Sequence, residues 1–253
     1  MRLRSSLLVP HLLAGTLLAG ALCPGTARAA APPPEIQQAL ERMRSASAAL
    51  TQYTYEFRRE EWKDGKQLPP QLMQVKFRKP LDVYLQWTGD AYKGRELIYR
   101  QGWNDNELHV KPGPLIPVLN LDPAGRLAMR GSRHGIDMID MSKVTDLILR
   151  QTDRLAANPD LSATFTAQGA QLINGEPSHC VEIDLPKERD PALYATRVDM
   201  CSSDATGLLT RLRAWDQEEG ALHKVEDYEF RRLDLHPGLV DADFDPDNPA
   251  YNF

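Results

Sequence analysis

The sequence predicts an α+β protein in which a curved antiparallel β-sheet of about ten strands, a half-barrel, wraps around two or more helices. Runs with a period of two, each with one apolar side, occur in both halves of the chain. Two other segments carry apolar residues at helical spacing. Turn residues such as Gly89-Asp90 and Asn174-Gly175 separate the strand runs, as is typical of antiparallel neighbours. A sheet of this size must curl, and helices must cover its inner face.

The N-terminal residues have the features of a secretory signal peptide. A short basic start precedes an apolar run over residues 7–22, and Ala-Arg-Ala at 27–29 supplies a cleavage site. We therefore predict a signal peptide over residues 1–29 and an exported, periplasmic domain over residues 30–253 that is soluble after cleavage. The alternative is lipid attachment at Cys23, although Leu22 stands where such a signal needs a small residue.

Two helices are predicted from apolar spacing. The first covers residues 33–50, starts at prolines, and places Ile36, Leu40, Met43 and Leu50 along one side. The second has Ser142 as its expected N-cap and places Val144, Leu147, Ile148 and Leu155 along one side. Each helix therefore needs an apolar surface on which to lie.

The first group of strands carries the candidate lining of an interior space. Aromatic and aliphatic residues recur at every second position on one side, and the nine candidates are Tyr53, Tyr55, Phe57, Met73, Val75, Phe77, Val83, Leu85 and Trp87. Periodicity does not distinguish a filled core from the wall of a cavity, so both interpretations stay open. Residues 111–140, rich in proline and glycine, are predicted to form a long loop over the sheet.

The second group of strands predicts a disulfide between Cys180 and Cys201. An even number of cysteines after cleavage favours a disulfide in an exported chain. If the two strands pair antiparallel with the cysteines opposite each other, the remaining pairs are Val181 with Met200, Glu182 with Asp199, Ile183 with Val198, and Asp184 with Arg197. This register puts both cysteines on one face and an apolar set on the other. The alternative is two unrelated buried thiols.

Three segments carry a resemblance to a known family. They are GRELIYRQGWNDNELHVKPGP, LNLDPAGRLAMRGSRHGI and the ending LHPGLVDADFDPDNPAYNF. In order and wording they resemble the bacterial family called domain of unknown function 1571, and the resemblance covers most of the chain after residue 29. That family is similar to LolA-like periplasmic lipoprotein carriers, in which a curved sheet wraps helices around an apolar cavity. The resemblance implies the same half-barrel and brings no catalytic residues.

Arg133 and His134 form the densest polar group in an otherwise aliphatic region, together with Asp137 and Asp140. They are candidates for the polar rim of a cavity that contacts an anionic head group. His134 is also a candidate general base of a hydrolase, but neither Ser132 nor another serine stands in a G-x-S-x-G frame. A purely structural role, in which both side chains fix the loop, is the third interpretation.

Motifs for metals, cofactors and nucleic acid are not found in the sequence. The histidines lack H-x-x-x-H spacing, glycine-rich phosphate loops are missing, and the formal charge is −5 without a Lys/Arg-rich run. We therefore predict no metal, no cofactor and no nucleic-acid partner.

The C-terminal segment DADFDPDNPAYNF resembles a calcium loop at first sight because four aspartates alternate from Asp241 to Asp247. Counted from Asp241, however, position six is Pro246 where an EF-hand needs glycine, and position twelve is Asn252 where it needs glutamate. We predict instead a strap whose aromatic residues pack on apolar surface while its aspartates face water.

Taken together, the sequence predicts a periplasmic, non-enzymatic protein that binds an apolar ligand, such as a lipid or the acyl chain of a lipoprotein, inside a half-barrel. Two alternatives stay open. One is an envelope sensor or scaffold that binds another protein through a sheet edge or the loop at 112–141. The other is a hydrolase centred on His134.

Overall fold

A computed structural model of the chain describes residues 26–29, 31–218 and 220–253, and for residues 26–29 the backbone alone. The helices are α1 (Pro34–Ala48) and α2 (Met141–Ala156). The strands are β1 (Thr26–Ala29), β2 (Gln52–Lys63), β3 (Lys66–Gln67), β4 (Gln71–Arg78), β5 (Asp82–Trp87), β6 (Glu96–Arg100), β7 (Leu108–Lys111), β8 (Leu119–Leu121), β9 (Ala163–Ile173), β10 (Glu176–Asp184), β11 (Arg197–Ser203), β12 (Leu209–Glu218) and β13 (Ala221–Asp234). The predicted signal peptide, apart from residues 26–29, and the alternative lipid-attachment site Cys23 lie outside the described residues.

All strands belong to one antiparallel sheet with the order β1-β9-β10-β11-β12-β13-β2-β4-β5-β6-β7-β8, and β3 pairs with β2 beside this path. The predicted class, an open antiparallel sheet with two helices, is confirmed. The number of strands is higher than the predicted ten because β1, β3 and β8 have only two to four residues each. Strands this short contain too few residues to show an alternation of apolar and polar side chains. Two of them lie in segments predicted as signal peptide (β1) and as loop (β8).

Both helices pack on the same side of the sheet, which we call the inner face. The buried side of α1 consists of Ile36, Leu40, Met43 and Ser47, close to the predicted set. In α2 the N-cap is Asp140 rather than the predicted Ser142, because the Asp140 carboxylate accepts a hydrogen bond from the Ser142 N–H group at 2.9 Å. Leu149, rather than the predicted Leu147, lies on the buried side of this helix.

The predicted disulfide and its register are both confirmed. Cys180 and Cys201 are bonded, and every predicted pair of β10 and β11 lies opposite its predicted partner. The two cysteines are 1% exposed and pack with Ile173 on the outer face of the sheet, while Ile183 and Val198 face the inner core. The alternation of apolar and polar residues therefore predicted the pairing of β10 with β11 correctly.

We expect the double substitution Cys180→Ser and Cys201→Ser to lower the free energy of unfolding by about 3 kcal/mol, since the bond closes a loop of 21 residues in the unfolded chain. Urea unfolding of both proteins measures the difference. Reducing agent should destabilise the wild type by a similar amount and leave the double variant unchanged. An equal effect of reductant on both proteins would contradict this assignment.

The C-terminal segment forms the predicted strap on the outer face of β4, β5 and β6. Phe244 is fully buried against Tyr84 and Ile98, and Tyr251 stacks on Tyr84 with 4.0 Å between ring centroids. The expectation that the aspartates face water holds for the 80% exposed side chain of Asp241 but is wrong for Asp243, which is 20% exposed, and both form ion pairs with the sheet. Asp241 pairs with Arg78 at 2.7 Å, and Asp243 pairs with Lys76 at 2.6 Å. These carboxylates therefore hold the strap to the sheet.

Phe244→Ala should lower the free energy of unfolding by about 3–5 kcal/mol, because it leaves a cavity between strap and sheet. The matched control is Val240→Ala in the same segment, where the side chain is 58% exposed and the expected loss is under about 0.5 kcal/mol. Thermal melts with and without calcium should be identical. A melting temperature raised by calcium would instead support the calcium-loop interpretation.

Candidate ligand-binding cavity

A cavity of about 580 Å3 lies on the inner face between strands β4 to β8 and the segment that follows them. We call residues 122–139, between β8 and α2, the cover segment. Neighbouring strands place one apolar residue each in a continuous row across the sheet, in the order Val75, Leu85, Leu97, Val110 and Leu119. All members of the row except Val75 line the cavity. Strand alternation thus builds an apolar wall that the cover segment faces.

The nine predicted lining residues divide into two groups. Met73, Leu85 and Trp87 line the cavity. The other six lie in the continuous core away from the cavity lining: Tyr53, Tyr55, Phe57, Val75, Phe77 and Val83. The difference follows position in the sheet, because the strand residues of the cavity lining come mainly from β4 to β8 and the six other residues lie on β2 or at positions of β4 and β5 outside that lining.

Two tyrosines of the core fix the start of α2. The Tyr53 hydroxyl donates to the Asp140 carboxylate at 3.1 Å and accepts a hydrogen bond from the Met141 N–H group at 2.8 Å. The Tyr55 hydroxyl donates to the Ile139 carbonyl at 2.7 Å. Buried hydroxyl groups need such partners. These contacts hold the end of the cover segment and the start of α2 against the first residues of β2.

The cover segment is also bound to the far end of β2 by two basic side chains. Lys63 donates to the carbonyls of Met129 and Ser132 at 2.6 and 2.8 Å. Arg59 donates to the Ser132 hydroxyl at 2.9 Å, and also to the side-chain carbonyl of Gln71 at 2.9 Å. Backbone carbonyls of an irregular segment need donors when they are turned away from water. Strand β2 therefore supplies the donors that position this segment.

Glu226 of β13 is the centre of a buried polar cluster. Its carboxylate accepts hydrogen bonds from Arg133 Nε at 3.0 Å, from His134 Nε2 at 2.8 Å and from the Tyr194 hydroxyl. Arg133 also pairs with Glu218 at 3.2 Å. Glu226 is 1% exposed, so its charge depends on these partners. Two adjacent residues of the cover segment thus compensate one buried charge of the sheet.

The charges of this cluster shift the pKa values of its members. Burial by itself would lower the pKa of His134, but the hydrogen bond to Glu226 and its negative charge outweigh burial and raise that pKa. Burial would conversely raise the pKa of Glu226, and the bond from His134 with the charge of Arg133 lowers it below the usual range. The pair is therefore stable as imidazolium and carboxylate.

The structure places Arg133 and His134 differently. His134 lines the cavity, whereas Arg133 lies outside the lining and bonds to Glu226, Glu218 and the Trp62 carbonyl. The His134 ring contacts Glu226 and Tyr194, and the Ser132 hydroxyl bonds to the backbone of His134 rather than to its ring. This is the arrangement of a group that fixes a segment, and no serine is oriented toward the imidazole in the described part of the chain.

Three arginines line the cavity, namely Arg59, Arg95 and Arg130, and the lining contains no aspartate or glutamate among the described residues. Sequence reasoning missed Arg59 and Arg95, although the signal was present. Arg59 continues the inward alternation of Tyr53, Tyr55 and Phe57, and Arg95 stands two residues before the inward-facing Leu97. A basic residue at an inward position is therefore the sign of a polar group inside the half-barrel.

Over residues 26–29, 31–218 and 220–253, no group of three or more His, Cys, Asp and Glu side chains is placed to hold a metal ion. Within the same residues, no helix has both the length and the apolar character needed to cross a membrane.

We expect His134 to make stability depend on pH. The pKa of His134 is higher in the folded protein than in the unfolded chain, where it is about 6.5. Protonated His134 therefore stabilises the folded state fully below about pH 6.5, and this contribution is lost as the pH rises through the pKa of the folded state. The difference in unfolding free energy between wild type and His134→Gln should therefore be largest below about pH 6.5 and shrink as the pH rises above it. Urea unfolding across this range measures it. His236→Gln, at an exposed histidine, is the control and should show no such trend. A constant difference for His134→Gln would contradict the pairing with Glu226.

The sequence and the fold are similar to known proteins as follows. The family described as protein of unknown function (DUF1571) matches residues 50–253. The lipoprotein LppX of Mycobacterium tuberculosis has 16% identity and a TM-score of 0.49, with 83% of this chain and 100% of that chain covered. LprF of Mycobacterium bovis has 14% identity and a TM-score of 0.49, with 83% and 97% covered. A LolA superfamily protein of Nitrosomonas europaea has 11% identity and a TM-score of 0.35, with 83% and 96% covered.

At these identities the likeness to solved structures concerns the fold alone. No curated protein matches the chain. The match to the family model spans most of the sequence, in agreement with the three segments that suggested it. The chain therefore belongs to the family of proteins of unknown function DUF1571.

Proposed function

We propose that this protein binds an apolar ligand, a lipid or the acyl chain of a lipoprotein, in the cavity beneath the cover segment, without catalysing a reaction. The observation that carries the proposal is a cavity of about 580 Å3 with a mainly apolar lining. Sites for small molecules in proteins have volumes of roughly 300–1,000 Å3. Apolar area removed from water contributes roughly 25 cal/mol per Å2, so an acyl chain gains affinity along the whole row from Leu85 to Leu119.

The cavity is open to an incoming ligand on the side of the cover segment. Leu127 is part of its lining and is nevertheless 57% exposed, so the lining reaches the protein surface there. An aliphatic side chain at the mouth of an apolar cavity offers contact to a chain that enters from water. This geometry supports uptake of an elongated ligand.

We further propose that the protein is exported to the periplasm with cleavage near Ala29. The support is the basic start, the apolar run and the small-residue site of the first 29 residues. The disulfide between Cys180 and Cys201 agrees with an oxidising compartment.

Protein binding is a second candidate function, favoured by one observation. The turn between β7 and β8 carries Leu115 at 98% exposure and Ile116 at 48% exposure. Adjacent exposed aliphatic residues are typical of contact surfaces. Chemical crosslinking of the wild type in the periplasm should give one dominant protein adduct if this candidate is correct, and an adduct pattern unchanged by Leu115→Ser would oppose it.

Leu97→Trp should lower the affinity for the ligand at least about tenfold, because the indole ring is larger than the leucine side chain and occupies the space in front of the centre of the apolar row. Displacement or uptake of a fluorescent fatty acid measures binding, and native mass spectrometry of the purified protein detects bound lipid. The matched control is Leu172→Trp on β9, where Leu172 is 70% exposed and away from the cavity. Absence of any uptake by the wild type, delipidated or not, would refute the proposed function.

A further inference from the structure

Arg95 occupies an inward position at the edge of the apolar wall. It directly precedes β6, and its carbonyl accepts a hydrogen bond from the Trp87 N–H group at 2.9 Å. Since Leu97 faces inward, Arg95 does so as well. Its guanidinium lies over the Tyr92 ring at 4.1 Å and over the Trp87 ring at 5.5 Å. Two aromatic rings and the strand therefore fix the direction of this cation.

The charge of Arg95 has no counter-ion in the described part of the chain. Its guanidinium forms no hydrogen bond or ion pair there, and its Nε atom is buried without a partner. Other partly buried arginines differ: Arg133 pairs with Glu226, and Arg211 pairs with Asp227. Burial lowers the pKa of Arg95, Tyr92 opposes this effect, and the nearby charge of Arg59 adds to it. The side chain is partly buried, and its contacts with the two rings leave the hydrogen-bond donors of the guanidinium without an acceptor among the described residues.

The charged residues of the cavity lining are basic, as Arg95 is. Arg59, Arg95 and Arg130 line the cavity without an aspartate or glutamate among the described residues, although the whole chain has a formal charge of −5. Arg59 donates to the neutral oxygens of Ser132 and Gln71, and its Nε atom, which forms no hydrogen bond, lies 4.0 Å from a carboxylate oxygen of Glu61. The cavity therefore combines an apolar wall with the neighbouring cations Arg59 and Arg95, of which Arg95 lacks a carboxylate partner among the described residues.

We propose that the ligand is an anionic amphiphile, whose carboxylate or phosphate head group binds the guanidinium of Arg95 while its chain lies along the row from Leu85 to Leu119. The inference rests on the proposed function and specifies its ligand class. An arginine fork matches the oxygens of both head groups, and charge-assisted hydrogen bonds inside a poorly hydrated site are strong. The aromatic rings of Trp87 and Tyr92 orient the fork before the ligand arrives, which reduces the entropy cost of binding.

The test compares ligands with the same chain and different heads. Dodecanoate, dodecyl phosphate and neutral methyl dodecanoate are titrated below their micelle concentrations into the full, delipidated protein by calorimetry. At least one anionic ligand should bind about tenfold or more tightly than the ester. Preference for dodecanoate alone identifies a carboxylate head, and preference for dodecyl phosphate alone identifies a phosphate head. Equal binding of all three by the wild type would overturn the inference while leaving the proposed function intact.

Variants of Arg95 then locate the preference. Arg95→Gln should reduce binding of the preferred anion about tenfold and leave the ester unchanged, and Arg95→Lys should retain part of the preference. The control is Arg126→Gln, an exposed arginine of the cover segment outside the lining, which should change neither ligand. Thermal melts check the fold of the variant: Arg95→Gln loses only the cation–π contacts with Trp87 and Tyr92, so it should remain folded at the temperature of the titration. If Arg95→Gln weakened binding of the preferred anion and of the ester equally, the role of Arg95 would be overturned. If the wild type bound none of the three ligands, the proposed function itself would be refuted.

Discussion

The buried carboxylate of Glu226 is the constraint on which the position of the cover segment depends. A charge that is 1% exposed must be compensated by the protein, and most of its compensation comes from Arg133 and His134. Glu61 of β2, which lies opposite Glu226, adds a second buried carboxylate. It accepts a hydrogen bond from the backbone N–H group of Arg133 at 3.1 Å. These acidic groups therefore hold the cover segment over one end of the central strands β2 and β13, beside the cavity.

Why a space remains there follows from the sizes of the elements. Helices of 15 and 16 residues are each about 22–24 Å long, whereas twelve paired strands extend over roughly 50 Å across the sheet. Two helices thus cover only part of the inner face, and there aromatic residues such as Tyr53 and Phe57 fill a continuous core. Beyond them the cover segment contains only two single-turn 3-10 helices, Ala128–Gly131 and Ile136–Ile139, joined by loops, and it does not fill the space as a long helix would. The wall of β5 to β8 consequently lines a cavity instead of a core.

The same alternation that builds the apolar wall also carries charge into it. On β2 the inward positions change from aromatic residues to Arg59 and Glu61 toward one end, and before β6 the inward position is Arg95. Arg59 is used within the protein, where it binds Ser132 and Gln71. Arg95, in contrast, contacts aromatic rings and has no carboxylate partner among the described residues. A structural role therefore accounts for the inward position of Arg95 less well than it does for that of Arg59. An apolar wall with a fixed cation at one end fits a ligand that is itself apolar with one charged end.

The sequence by itself determined the fold class, both helices to within a few residues, the register of β10 with β11, the disulfide and the strap, because each depends on local periodicity or on one pair of neighbouring strands. It also suggested the family through three segments. Only the tertiary structure decided which inward residues are core and which line a cavity, since Val75 and Leu85 are adjacent in the same row and differ only in what lies above them. It likewise decided that Arg133 binds Glu226, a residue 93 positions away. Contacts of this kind depend on how distant strands are brought together, which no local pattern records.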